Sequence, residues 1–264
     1  MTACCGIATL ILGDTVDQTP ILLLTRFSWP HPIWRDRSKA EFQAWLATRI
    51  LLLRHYPVRS IRNAYIKPNM WLILAQDHEP DFNVGLEATA EAAGVPFTVL
   101  RYSGKDIQRT VSDYLIESSF VRSERICTLR LDSDDLVGAD YFARIQTVLA
   151  KEQNEARDLG ISFPGGCTYD ASLNQFYYSC YPDNPFIGLV ENLDPNIGIT
   201  TVFRKMHTEL LQTLPRTLYL RSDQPIWCSV VHGGNVANES LLKSNPTPLS
   251  HRNELLRRFG ASAL

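Results

Sequence analysis

The chain has 264 residues, of which 45% are hydrophobic, and its formal net charge of −2 is close to balance. This length allows a full buried core, and no segment approaches the roughly 18 apolar residues that a membrane-spanning helix requires. The six cysteines show no zinc-ligand spacing, and the N-terminus has no secretory pattern. We therefore expect a soluble cytoplasmic protein that binds no nucleic acid.

Strands and helices alternate four times in the first 160 residues. Apolar runs predict strands at residues 20–27, 70–75, 96–100 and 126–131. Helical spacing of apolar residues predicts helices at residues 38–53, 83–93, 107–120 and 139–159. Capping-box pairs begin the first and third helices, at Ser38 with Glu41 and at Ser103 with Asp106, and Gly160 ends the fourth. The alternation predicts an α/β fold with a mostly parallel sheet flanked by helices.

The pattern changes after Gly160. Short strands are predicted at residues 161–163, 174–180 and 197–203, and helices at 207–214 and 254–259. These short strands suggest antiparallel additions to the sheet. Because no repeat or linker is visible, we predict one domain over residues 1–264, with an α/β half at 1–160 and a mixed half at 161–264.

The strand at 126–131 leads into Asp132, Asp134 and Asp135. Carboxylates this close raise one another's pKa unless a cation lies among them, and clustered oxygen ligands suit Mg²⁺ or Mn²⁺. Ligands of open α/β sheets bind beyond the carboxyl ends of strands, which is where these residues fall. The sequence predicts a divalent metal that holds a phosphate-bearing ligand. The alternative is a polar turn whose last Asp caps the helix starting near Ala139.

The basic segment, residues 26–67, is charged differently from the rest of the chain. It carries nine Lys or Arg against Asp36 and Glu41, a net charge of +7, which leaves −9 elsewhere. This imbalance predicts an anionic partner, either an acidic polymer or a membrane surface, with peripheral attachment at the inner face of the membrane. A solvated basic face is the alternative.

The signatures of P-loop, dinucleotide-binding, serine-hydrolase and zinc-protease sites are absent from the sequence. Three stretches instead resemble a known family: residues 24–28, Leu-Thr-Arg-Phe-Ser; residues 130–135, Arg-Leu-Asp-Ser-Asp-Asp; and residues 225–235. Together with the order of elements, they resemble the bacterial rhamnosyltransferase family of nucleotide-sugar glycosyltransferases with the Rossmann-like GT-A fold. The resemblance covers residues 20–238.

The resemblance implies roles for the acidic cluster. Asp132 would face the nucleotide ribose and also bind the metal, and Asp134 would bind Mn²⁺ or Mg²⁺, with Asp135 as a possible substitute. His232 would complete the coordination, and its neighbours Gly233 and Gly234 let the backbone approach a ligand closely. The alternative for His232 is a loop histidine without a ligand.

The resemblance also implies a nucleotide-sugar site at other strand ends. Arg26 would contact the base or the phosphates, and its alternative is a structural ion pair. Asp77 would contact the base, and its alternative is the cap of a turn. The 1–160 half would bind the nucleotide, and the 161–264 half would close the metal site and bind the acceptor. Tyr177, Tyr178 and Tyr181 would form a sugar platform, or pack across a hairpin.

The resemblance implies an inverting hexosyl or deoxyhexosyl transferase, such as a rhamnosyltransferase, that acts on a glycan, lipid-linked or protein acceptor in surface polysaccharide synthesis. The general base is assigned to Asp223, which lies nine residues before His232, with Glu191 and Asp194 in reserve and a turn before Pro225 as the alternative. A non-catalytic nucleotide- or carbohydrate-binding protein on the same fold is the competing function.

Overall fold

The computed structural model describes residues 19–28, 38–77, 80–103, 106–118, 125–153, 157–193, 198–233 and 247–261, with only the backbone of residues 80–84. The strands of this part are β1 Ile21–Arg26, β2 Met70–Gln76, β3 Phe97–Tyr102, β4 Arg125–Arg130, β5 Leu136–Val137, β6 Leu159–Ser162, β7 Gly165–Asp170, β8 Gln175–Cys180, β9 Gly188–Asn192, β10 Arg216–Tyr219 and β11 Trp227–Val231. Its helices are α1 Lys39–His55, α2 Pro57–Asn63, α3 Pro80–Glu91, α4 Ile107–Glu117, α5 Tyr141–Lys151, α6 His207–Leu210 and α7 Arg252–Arg258.

The main sheet has seven strands in the order β10-β6-β9-β4-β1-β2-β3. Neighbouring strands run parallel except at β9, which is antiparallel to both β4 and β6. The chain order reverses between β1 and β4, and ligands of doubly wound sheets bind at such a switch point. The predicted α/β class, with a mostly parallel sheet and antiparallel additions, is confirmed.

A second, four-stranded sheet has the order β5-β11-β7-β8. The short strand β5 follows the turn after β4 and pairs antiparallel with β11, with Cys228 opposite Leu136. This pairing brings the end of β11 to the carboxyl edge of the main sheet.

Both faces of the main sheet are buried. Leu23 of β1 packs in one apolar core, whereas Leu22 and Leu24 pack in the core on the other face. Because neither face of β1 meets water, this strand is continuously apolar rather than alternating. The predicted capping box of α1 is confirmed, since the Ser38 hydroxyl accepts from the Glu41 amide and the Glu41 carboxylate accepts from the Ser38 amide.

Two predicted helix boundaries are wrong. Helix α5 ends at Lys151, and Gly160 lies inside β6, where an added Cβ would come within 2.7 Å of Leu214 and 2.8 Å of Thr217. That glycine is needed for close packing rather than for ending a helix. Helix α4 is capped by Asp106, whose side chain accepts from the Arg109 amide, and not by Ser103.

The strand predicted at residues 197–203 is also wrong. The described residues 198–203 form an irregular turn, with Thr201 in the left-handed region at a φ of 61°. The buried Glu191 carboxylate holds this turn by accepting from the amides of Thr200, at 3.1 Å, and Thr201, at 2.8 Å. The strand in this part of the chain is β9, which carries Glu191 itself.

Two predicted site residues, Asp194 and Gly234, lie outside the described residues. Among the described helices, none is both long and apolar enough to span a bilayer.

Candidate functional site

The acidic cluster lies at the switch point of the main sheet. Strand β4 runs parallel to β1, and the Leu131 amide donates to the Leu24 carbonyl one step beyond the strand. The chain then turns through Asp132 to Asp135 before it enters β5, with the Asp135 amide donating to the Asp132 carbonyl. The turn therefore presents its carboxylates at the carboxyl edge of β1 and β4, as predicted.

Asp134 lies between a guanidinium and an imidazole. Arg49 of α1 donates from Nη1 to Asp134 Oδ2 at 2.8 Å and from Nη2 to Oδ1 at 3.1 Å, while His232 Nε2 lies 3.0 Å from Oδ2. The three side chains are only 8%, 13% and 12% exposed, in the order Asp134, Arg49, His232. Burial raises the pKa of Asp134, but the Arg49 charge and hydrogen bonds from His232 and Arg49 outweigh it and lower the pKa. Asp134 is thus a buried, ionised carboxylate.

Asp132 is bound by a different arginine. Arg130 donates from Nε to Asp132 Oδ1 at 3.2 Å and from Nη2 to Oδ2 at 2.7 Å, and Arg26 Nη2 lies 3.7 Å from Oδ1. Burial raises the Asp132 pKa, whereas the charges of Arg130 and Arg26 lower it, and the net direction is downward. Arg26 thus forms the ion pair that was its alternative assignment, and its contact with a nucleotide stays a prediction.

A phenyl ring from the C-terminal half covers the two arginines. The Phe203 ring centroid lies 5.2 Å from the Arg26 guanidinium carbon and 5.8 Å from that of Arg130, within cation–π range. The pKa of Arg26 is lowered by burial and by the charge of Arg130. Two crowded guanidinium groups share one carboxylate at this point, which favours a further anion.

Asp135 has a structural role instead of standing in for Asp134. Its Oδ1 accepts from the Val230 amide of β11 at 2.9 Å, and the side chain is buried. Burial and the charges of Asp134 and Asp132 raise its pKa well above the ordinary value. Asp135 therefore keeps its proton to higher pH than its neighbours and ties the turn after β4 to β11.

The donor set at Asp134 fits a divalent cation only in part. Mg²⁺ takes ligands at roughly 2.1 Å in octahedral geometry, so two adjacent ligands lie roughly 3 Å apart, as Asp134 Oδ2 and His232 Nε2 do here. In the described part of the chain, no group of three or more His, Cys, Asp or Glu side chains is arranged to hold a metal. Mg²⁺ commonly completes its coordination with substrate phosphates and water, so two protein ligands are sufficient.

Two buried polar atoms near Asp134 have no hydrogen-bond partner in the described structure: Arg49 Nε and the Tyr56 hydroxyl. Burial raises the pKa of Tyr56, and the nearby Asp134 charge adds to this shift. Buried polar groups are normally hydrogen-bonded, so unpartnered atoms at a site point to a missing polar ligand. This observation supports a phosphate or water beside the Asp134–His232 pair.

Asp77 directly follows β2 at the same sheet edge, one strand beyond β1. Its side chain is 70% exposed and forms a loose ion pair with Arg101 at 3.7 Å. The position agrees with the predicted base site, and base binding stays a prediction.

Asp223 is not beside the cluster. It lies before β11 and lines a small cavity of about 190 Å³ with Tyr178, His251 and Glu254, whereas His232 follows the other end of that strand. Five residues of strand span roughly 16 Å. The assignment of the general base to Asp223 from its spacing to His232 is therefore not supported by its position, because the strand holds the two residues apart. The reserve candidate Glu191 is occupied by the 198–203 turn, and Asp194 is not described.

Sequence reasoning missed the residues that surround the two aspartates: Arg49, Arg130 and Phe203. Arg130 was visible as the one charge in an apolar strand, which signals a paired cation. Arg49 was counted in the basic segment, and nothing in its helix distinguishes it from Arg54. Phe203 was assigned to a strand that does not form.

Comparisons with known proteins place the chain as follows. A family model described as "Putative rhamnosyl transferase" matches residues 20–244. Among solved structures, TarS from S. aureus is similar at 10% identity and a TM-score of 0.43, over 80% of this chain and 60% of that one. A putative nucleotide-diphospho-sugar transferase from Desulfovibrio desulfuricans G20 is similar at 12% identity and a TM-score of 0.39, over 92% and 98%. The chain thus spans about three-fifths of the TarS structure. No curated protein matches it in sequence.

Proposed function

Because the chain belongs to the putative rhamnosyl transferase family, we propose that it transfers a sugar from a nucleotide-sugar donor to a hydroxyl acceptor, with the donor diphosphate at the carboxyl edge of β1 and β4. The observation that carries this proposal is the pairing of Asp132 with Arg130 and of Asp134 with Arg49 and His232 at the switch point.

The charge balance of the site favours a diphosphate. The raised pKa of Asp135 favours its neutral form, so the guanidinium groups of Arg26, Arg49 and Arg130 face chiefly the two carboxylates of Asp132 and Asp134. One positive charge is therefore in excess, in a site where burial strengthens electrostatic interactions. Arginine also presents paired N–H donors that match phosphate oxygens. We propose that this excess positive charge binds the diphosphate and that Asp132 binds the ribose.

Mn²⁺ or Mg²⁺ would be held by Asp134 and His232. When bound, the ion supplies positive charge that stabilises the departing nucleoside diphosphate. The residues of the chain perform the remaining tasks: Arg26 and Arg130 orient the phosphates, and Phe203 excludes water from one side of them. We further propose single displacement with inversion, and a deoxyhexose such as rhamnose as the transferred sugar.

A thermal-shift screen tests the donor assignment. UDP-, dTDP- and GDP-sugars with Mn²⁺ are added to the wild type, to Asp132→Asn and to the control Asp113→Asn, which changes an exposed aspartate of α4. One donor should raise the melting midpoint of wild type and control, and raise that of Asp132→Asn much less, since bound ligand stabilises the folded state. No shift with any donor would contradict the proposal.

Donor hydrolysis separates an enzyme from the competing function. A transferase should slowly release the nucleoside diphosphate from the stabilising donor, with water replacing the acceptor. Stabilisation without any release of diphosphate is the result expected of a non-catalytic binding protein.

A further inference from the structure

His207 lies at the border of the donor site, in the half of the chain that we assign to the acceptor. It is the first residue of α6 and follows four positions after Phe203, whose ring covers Arg26 and Arg130. Its ring is near enough to Arg130 and Asp132 for their charges to act on it. The imidazole thus lies within electrostatic range of the residues that we assign to the donor.

The proton of the neutral imidazole has a defined position. His207 Nδ1 is hydrogen-bonded to the backbone carbonyl of Asp183. A carbonyl oxygen can only accept, so the hydrogen lies on Nδ1 and the lone pair on Nε2. Nε2 makes no hydrogen bond to any described residue. Burial lowers the pKa of His207, the Asp183 carbonyl raises it, and the charge of Arg130 lowers it, with a net decrease that keeps the ring neutral near pH 7.

One partly exposed aromatic ring packs against the imidazole, and a second lies near Asp183, whose carbonyl binds His207. The Tyr181 ring meets that of His207 edge-on, with centroids 6.1 Å apart and an interplanar angle of 86°. Tyr219 is 48% exposed, and its pKa is raised by burial and by the nearby charge of Asp183. Exposed aromatic faces beside polar groups suit the apolar faces and hydroxyl groups of a sugar ring.

The predicted bases are less well placed. Asp223 lies at the far end of β11, and Glu191 is buried with both oxygens accepting from the 198–203 turn. The Asp183 carboxylate belongs to the residue whose carbonyl binds His207, and the Gln212 amide approaches it at 3.5 Å. A test must therefore distinguish proton transfer to the Asp183 carboxylate from proton transfer to His207.

We propose that His207 Nε2 accepts the proton of the acceptor hydroxyl and that Tyr181 and Tyr219 bind the acceptor as a sugar. The acceptor oxygen bonds to the anomeric carbon while the bond from that carbon to the diphosphate oxygen breaks, and the electron pair leaves with the diphosphate. The proton moves to Nε2 and passes to water after product release. This inference rests on the proposed function and adds the proton acceptor and acceptor class to it.

The test compares variants in the hydrolysis of the donor that the thermal-shift screen selects. His207→Asn keeps an N–H donor for the Asp183 carbonyl but cannot take a proton; His251→Asn is the control, at the exposed histidine before α7. We expect His207→Asn to lose about 100-fold or more in kcat with donor KM within about twofold, and the control to keep its rate. Imidazole in the buffer should restore part of the rate of His207→Gly, which a structural role would not permit.

Three kinetic results would overturn the inference. One is an unchanged rate in His207→Asn, another is a loss of donor binding in that variant, and the third is an equal or larger loss of kcat in Asp183→Asn or Asp223→Asn with His207→Asn active.

A measurement without turnover keeps the two proposals distinguishable. In protein labelled with ¹⁵N-histidine, the His207 signals are identified by their absence from His207→Asn. Their shifts should report a hydrogen on Nδ1 and should move when the nucleoside diphosphate is added. A hydrogen on Nε2 overturns the assignment of His207, whereas wild type that hydrolyses no donor contradicts the proposed function.

Discussion

His232 Nε2 lies 3.0 Å from Asp134 Oδ2, although 98 positions separate the two residues in the chain. The contact follows from the pairing of β5 with β11, which sets Cys228 opposite Leu136, and from the bond between the Val230 amide and Asp135. Strand β11 then ends beside the turn that carries Asp134. The chain therefore closes the donor site with a residue from its C-terminal half.

Removing the ionisable group should change the free energy of unfolding in opposite directions at the neighbouring residues Asp134 and Asp135. Asp134→Asn leaves Arg49 buried without its anion, so we expect a loss of about 3 kcal/mol in the free energy of unfolding at about pH 7. Asp135→Asn keeps the acceptor for Val230 and removes an ionisation that the folded state disfavours, so the stability should be unchanged or higher. Urea unfolding in EDTA buffer measures both, and a destabilised Asp135→Asn would contradict the assignment.

The contributions of Asp134 and Asp135 to the free energy of unfolding should change with pH in opposite directions. The lowered pKa of Asp134 gives stability that is present above the unfolded pKa near 3.8 and is lost as pH falls through the folded value. The raised pKa of Asp135 makes the wild type lose stability as pH rises above 3.8 towards the folded value. Asp135→Asn should therefore gain most over the wild type at about pH 7 and little at about pH 4. An equal difference at both values would be inconsistent with a raised pKa.

Arg49 competes with a metal for Asp134. In Arg49→Met the carboxylate loses its main cation, so Mn²⁺ should bind more tightly than in the wild type when nucleotide is absent. The same variant should be less stable by about 3 kcal/mol without metal, because a buried pair has lost one partner. Arg54→Met, on the exposed side of α1, is the control. Manganese affinity that falls in Arg49→Met would show that Arg49 supports the cation site instead.

The basic segment should bind an anionic surface through fewer groups than its composition suggests. Arg26 and Arg49 face Asp132 and Asp134, and Lys67 Nζ donates to the carbonyls of Ile61 and Ala64 at the end of α2. Among the described cations of the segment, Lys39, Arg54 and Arg62 are exposed, and Leu51 and Tyr65 are large exposed side chains of the same region, 53% and 76% exposed.

We expect sedimentation with phosphatidylserine vesicles that weakens as salt increases, since exposed charges are screened beyond roughly 8 Å at physiological ionic strength. The double variant Arg54→Gln with Arg62→Gln should bind less than Lys151→Gln with Arg221→Gln, which removes two exposed charges elsewhere. Binding that is insensitive to salt, or equal in the two double variants, would exclude this surface as the contact.

The sequence predicted those elements whose signal is local. The apolar run of β4 and the capping box at Ser38 depend on neighbouring residues, and both were predicted correctly. Strand β5 has only two residues and forms because β11 pairs with it. No local sequence pattern therefore predicts it. Gly160 was interpreted as a helix stop, although its missing Cβ serves packing against Leu214 and Thr217.

The site divides in the same way. Asp134 and His232 were predicted together because one follows a buried strand and the other resembles a family motif. The partners of the aspartates depend on tertiary structure. Arg49 contacts Asp134 although 85 positions separate them, and the sequence of α1 contains no pattern that predicts this contact. Asp223 was placed by its distance in sequence from His232, but an extended strand keeps its two ends apart.

The most direct test of the donor site is isothermal titration of Mn²⁺ with the nucleoside diphosphate of the selected donor. Wild type, Asp134→Asn, His232→Gln and the control His251→Gln are compared under conditions where circular dichroism shows each to be folded. The account predicts affinity at least about tenfold weaker in Asp134→Asn and in His232→Gln, with the control equal to wild type. Unchanged affinity in both site variants would contradict a cation and diphosphate site shared by the turn after β4 and the end of β11.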